Sequence, residues 1–308
     1  MTRKSIGVNA SYFHSDTLIN SVRRLSAMGM RRIELPGRLT AELSGSDLRA
    51  LSNLFQTDGL ICTSVNAVSD LITVNFGNLC AVQTEERQNA IDHLKRCIDI
   101  AQAFGSHKVV CDVGTTTEDL LSVDKQNELF LSSISEVIKY ASNASVYISL
   151  SIVPSRRWRA WDGYPPDKAR VVERHVWPWH EWTDEEPLIS TIATALGRQV
   201  NWAFDTAHAI VASGVHPRSL LDTIDPYLSQ GLSVVYLANH PGPYNICWHR
   251  LLMHKGLWDG FYTVDDYAAF LDHLSLNKYI GDVILNILEP DPSEETLKRS
   301  LMMECFTL

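Results

Sequence analysis

The chain has 308 residues, 45% of them hydrophobic, and a formal net charge of −9. Its isoelectric point is near 5.6, the opposite of the basic balance that a binder of the phosphate backbone shows, so nucleic acid is not an expected partner. No run of about 18 uninterrupted apolar residues occurs, which argues against a membrane span, and the length suits one barrel of roughly 250 residues plus loops.

Short β-rich runs alternate with amphipathic runs along the whole chain. Strands are expected at residues 5–11, 31–37, 60–67, 107–114, 146–154, 199–208, 232–239 and 282–290. Helices are expected between and after them, at 16–28, 46–56, 84–104, 123–142, 187–196, 217–229, 263–275 and 292–304. In the third of these Ala90, Leu94, Cys97, Ile98 and Ala101 recur at helical spacing. Pro187, Pro217 and Pro292 stand where a helix can begin, because the first turn tolerates a missing N–H. Strict alternation calls for parallel strands with helical crossovers. An open doubly wound sheet would show a glycine-rich turn after its first strand, and Asn9-Ala10-Ser11-Tyr12-Phe13 is not one. The expected fold is therefore an α/β protein, a single (β/α)8 TIM barrel in one domain over residues 1–308.

Two connections are longer than turns, at 155–186 and 240–262, after strands five and seven. In a barrel both lie at the C-terminal face, where active sites are built. They contain Trp158, Trp161, Trp177, Trp179, Trp182, Trp248 and Trp258, a composition unlike disorder. The expectation is a lid over a pocket, with a homodimer interface as the alternative. The N-terminal stretch is interrupted by Asn9, Ser11 and His14 and lacks a signal peptide's apolar core. The six cysteines form no CxxC pair, which fits reduced thiols and a cytoplasmic location.

Four segments resemble the xylose isomerase-like superfamily of sugar-phosphate isomerases and epimerases. They are Gly29-Met30-Arg31-Arg32-Ile33-Glu34-Leu35, Ile100-Ala101-Gln102-Ala103-Phe104-Gly105, Phe204-Asp205-Thr206-Ala207-His208 and the stretch 287–301. The resemblance implies isomerisation, epimerisation or dehydration of a small polyhydroxylated or carbonyl compound. It also implies one divalent metal held by Glu, Asp, His and Glu on strands five to eight. Carried over, those positions fall on Ser151, Asp205, Tyr236 and Asn286, with the acid that follows strand seven falling on Asn239. Only Asp205 is retained. Serine, tyrosine and neutral asparagine are poor ligands for a hard cation, so no cofactor is expected. The alternative is a divalent Mn, Zn, Co or Mg ion on Asp205, His208, His240 and Glu289.

The residue-level expectations follow. Asp205, His208 and Glu34 carry the catalysis. Ser151, Arg156, Trp158, Tyr236, Asn239, His240, Arg250 and Asn286 contact a small-molecule substrate, and Arg157 and Arg159 beside Arg156 add a possible anion clamp. Asp112 is a weaker candidate, and Cys111 reads as a core residue. Alternation sends Asn201, Ala203 and Asp205 into the barrel and Trp202 and Phe204 to the helix layer. Two other readings of function stay open. One is a metal-free barrel recruited to a cyclisation or rearrangement in a specialised pathway. The other is a non-catalytic member that binds a ligand or partner.

Overall fold

Each strand buries both faces, one in the barrel lumen and one under the helices, and so most of its residues are sealed whatever their parity. The computed structural model describes residues 6–68, 79–112, 123–151, 185–212, 219–239, 257, 260–287 and 293–301. Eight parallel strands close into a barrel in sequence order. They are β1 (Ile6–Asn9), β2 (Arg32–Pro36), β3 (Ile61–Asn66), β4 (Lys108–Asp112), β5 (Tyr147–Ser151), β6 (Val200–Asp205), β7 (Leu232–Leu237) and β8 (Asp282–Leu285). The described helices are α1 (Leu18–Ala27), α2 (Gly37–Ala41), α3 (Gly45–Thr57), α4 (Thr84–Ala103), α5 (Val123–Asn143), α6 (Glu185–Leu196), α7 (Thr206–Ala212), α8 (Leu220–Ser229), α9 (Val264–Leu276) and α10 (Glu294–Leu301).

Local chemistry sets the helix starts. Thr17, Ser44, Ser219 and Thr263 each accept a hydrogen bond from an N–H of the first turn, and Asp266 completes a capping box with Thr263. Among the described residues no helix is long and apolar enough to cross a membrane.

Parity along the strands separates two hydrophobic clusters. Val8, Ile33, Leu35, Val109, Leu150, Trp202, Phe204, Val235 and Leu285 belong to the large outer cluster under the helices. Phe204 stacks on Phe270 of α9 and meets Tyr227 of α8 edge-on. Val110, Ala203, Val234, Tyr236 and Ile284 form a second, smaller cluster in the lumen. The predicted facing of β6 is thereby observed, with Ala203 inward and Trp202 and Phe204 outward.

At the N-terminal pole the lumen is closed by charge. Lys108 donates to Asp282 at 2.5 Å and to the Ser233 carbonyl at 3.0 Å, and Arg32 pairs with the same carboxylate.

Several boundaries depart from the sequence expectations. β6 stops at Asp205, and Thr206–Ala212 turns at once into α7, so His208 is helical. Leu220 opens α8 behind its Ser219 cap, so the helix begins after Pro217. Pro187 is the third residue of α6, still within the first turn. The short helix α2 directly after β2 was not expected from periodicity.

Candidate active site

The inward residues at the C-terminal strand ends are polar, and this follows from register. Asn9 pairs with Glu34 across β1 and β2, Asp112 with Ser151 across β4 and β5, and Asp205 with Tyr236 across β6 and β7. Between β2 and β3 the register slips, with Ile33 opposite Cys62 but Leu35 opposite Val65. One residue, Glu34, thus faces two, Thr63 and Ser64. A bulge of this kind re-aims side chains, and here Ser64 points at Glu34.

Glu34 is the centre of the first cluster and is fully buried. Its Oε1 accepts from the Tyr236 hydroxyl at 2.6 Å and from Ser64 Oγ at 2.7 Å. Its Oε2 accepts from Asn9 Nδ2 at 2.7 Å and Asn66 Nδ2 at 3.2 Å. Asn66 also donates to the Tyr236 oxygen at 3.1 Å. Burial raises the Glu34 pKa above the usual carboxylate range, against the pull of those hydrogen bonds, of which that from Tyr236 is the largest.

Asp205 organises the second cluster. Its Oδ1 accepts from the backbone N–H groups of Ala207 at 2.9 Å and His208 at 3.3 Å, which caps α7 and fixes His208 one turn away. Its Oδ2 accepts from Asn286 Nδ2 at 3.2 Å. Asn286 is 4% exposed, and its Oδ1 is sealed from solvent with no donor among the described residues. A buried acceptor left in that condition costs about 1–3 kcal/mol.

The sequence-predicted residues divide four ways. Glu34 with Tyr236 and Asp205 with Asn286 form two hydrogen-bonded pairs, and His208 joins the second through its backbone. Ser151 is buried and inward at the same end of the barrel. Asn239 uses its amide to clasp the chain that returns from the second long connection. It donates to the carbonyls of Leu257 and Tyr262 and accepts from the Tyr262 N–H. Arg156, Arg157, Trp158, Arg159, His240, Arg250 and Glu289 lie outside the described residues. Cys111 is buried, and burial, aided by Asp112, pushes its thiol well above the ordinary value, which suits a core residue and not a nucleophile.

Asn9, Ser64 and Asn66 were not anticipated. Their signal was parity, since Ser64 and Asn66 alternate along β3 and Asn9 ends β1.

The four positions that correspond to a metal set do not fit a divalent cation among the described residues. They offer one carboxylate, its Oδ1 committed to backbone, and a tyrosine whose proton points at Glu34. Nor do the described residues contain any group of three His, Cys, Asp or Glu able to hold a metal.

A family described as xylose isomerase-like TIM barrel matches residues 22–303. The chain belongs to this family. No curated protein matches it in sequence. Solved structures of the same fold include a 3-keto-D-glucoside 4-epimerase from E. coli, at 15% identity and TM-score 0.67, covering 96% of this chain and 98% of that one. A D-tagatose 3-epimerase-like protein is similar at 16% identity and TM-score 0.71, covering 96% and 97%. An AP endonuclease of family 2 from Brucella melitensis aligns at 14% identity and TM-score 0.66, covering 95% and 96%. In this member of the xylose isomerase-like family, the inward strand ends carry the hydrogen-bonded pairs Glu34–Tyr236 and Asp205–Asn286.

Proposed function

We propose that this barrel is an isomerase or epimerase that moves a proton beside a carbonyl on a small polyhydroxylated compound, without a divalent metal. The observation that carries the reading is a pair of inward carboxylates in contrasting environments. Glu34 is sealed and raised in pKa, whereas Asp205 is held at a strand end beside His208. Two acids held in different surroundings can divide acid and base roles. The family match and the epimerases among the structural neighbours support the sugar class, and the net charge of −9 speaks against a nucleic-acid substrate.

In this scheme the Asp205–His208 side takes the proton from the carbon next to the carbonyl. The electron pair moves onto the carbonyl oxygen and gives an enediolate. Return of the proton to the opposite face yields the epimer, and its return to the neighbouring carbon yields the isomer, with no net redox change. Tyr236, backed by Glu34, lies level with Asp205 across β6 and β7 and supplies a polar wall for the enediolate.

The test is solvent exchange. D-Fructose, D-tagatose and D-allulose are incubated with the protein in D2O containing EDTA and followed by NMR for deuterium at carbon. Exchange that survives EDTA and disappears in Asp205→Asn supports the proposal. Exchange that requires added Mn2+ or Co2+ overturns the metal-free part, and no exchange with any of the sugars overturns the sugar assignment.

A further inference from the structure

The Asn286 amide is half used. Its nitrogen is fixed on Asp205 Oδ2 at 3.2 Å, and this bond sets which way the amide faces. The oxygen is thereby turned from Asp205, 4% of the residue is exposed, and no group among the described residues donates to that oxygen. Register places the side chain in the mouth. Ile284, two residues earlier on β8, belongs to the lumen cluster, and the Asn286 N–H donates to the Leu237 carbonyl at the end of β7. Because an amide oxygen accepts only, the partner it needs must bring an O–H or N–H.

We propose that Asn286 is a specificity residue that reads one hydroxyl of the substrate, accepting its proton at Oδ1 while Asp205 holds the amide in place. A carboxylate at this position would attract cations and repel Asp205. The neutral amide instead presents a single fixed acceptor beside the carboxylate of the proposed proton transfer. A site whose buried acceptor is made for a hydroxyl discriminates strongly against the analogue that lacks it, because the acceptor is then left unpaired.

This assignment rests on the sugar reading above, and its test separates the two. Binding of D-fructose and of each of its monodeoxy analogues is measured by calorimetry for the wild-type protein, Asn286→Leu and Asn286→Ser. Leucine removes donor and acceptor at similar volume. Serine keeps a small polar group, should the leucine variant fail to fold. In the wild type, one particular deoxy analogue is expected to bind about tenfold or more weakly than the parent. In both variants the parent falls to about the affinity of that analogue, and the penalty for that deoxygenation disappears while those for the other positions persist. Deoxy penalties that are the same in wild type and variants overturn the Asn286 assignment and leave the sugar reading standing. A wild-type protein that binds none of these compounds overturns both.

Discussion

Glu34 accepts four hydrogen bonds and is fully buried, so its protonation and the barrel's stability are linked. Its folded pKa lies above the ordinary 4.5. For an acid raised on folding, the favourable contribution is complete below pH 4.5 and is lost as pH rises through the folded value. Tyr236 opposes that loss by donating to the ionised form. Tyr236→Phe is therefore expected to cost about 1–2 kcal/mol, with the larger cost on the alkaline side of the Glu34 titration. Urea unfolding of both proteins at a series of pH values checks this, and a difference that stays flat with pH argues against the linkage. Glu34→Ala, which strands Asn9, Ser64, Asn66 and Tyr236 together, should cost about 3–5 kcal/mol in the same assay. The family resemblance pointed to Asp205, Tyr236 and Asn286, with side-chain parity agreeing on their inward aim, and Glu34 stood out as an acid at the end of a strand. Asn9, Ser64 and Asn66 were not legible, because amides and hydroxyls at strand ends are also ordinary turn formers. The bulge that aims Ser64 exists only once β2 and β3 are paired.

Among the elements, α7 shows how the site and the fold share a residue. Asp205 ends β6 and caps α7 with one oxygen, so Asp205→Ala should lose about 1 kcal/mol of capping as well as activity. Asp205→Asn keeps an acceptor for the cap. It is expected to retain the melting temperature within a few degrees while losing solvent exchange. The sequence overran β6 to residue 208 because Thr206-Ala207-His208 carries no glycine or proline to mark the corner; the carboxylate itself makes it. Across the outer layer, α4 adds a pH dependence of opposite sign. Burial lowers the His93 pKa from its ordinary 6.5, Arg96 and Arg38 reinforce the shift, and Glu42 opposes it. Its contribution is complete above pH 6.5 and declines as pH falls below that value. His93→Gln should flatten the acid side of the stability profile below pH 6.5, measured by thermal melts. At the opposite pole, Asp282→Ala would leave Lys108 buried without its carboxylate, and a loss of about 3–5 kcal/mol in urea unfolding is expected.

At the scale of the whole barrel, alternation of strand and helix gave the topology, because seven crossovers with no glycine-rich first turn leave few alternatives. The boundaries at the mouth were less legible, since polar strand ends serve the site and so break the apolar pattern that marks a strand. The partition of the interior into two clusters has a consequence for the site. The outer cluster joins helices to strands and carries most of the buried area. The lumen cluster is one thin layer of Val110, Ala203, Val234, Tyr236 and Ile284, with Gly7 beside it at a point where an added methyl would stand 3.3 Å from Ile284. Trimming Val234 or Ile284 to alanine is expected to hollow that layer at a cost of a few kcal/mol, and Gly7→Ala to crowd it against Ile284. The packing behind the acids and bases of the site is thus set by side chains that take no part in its chemistry.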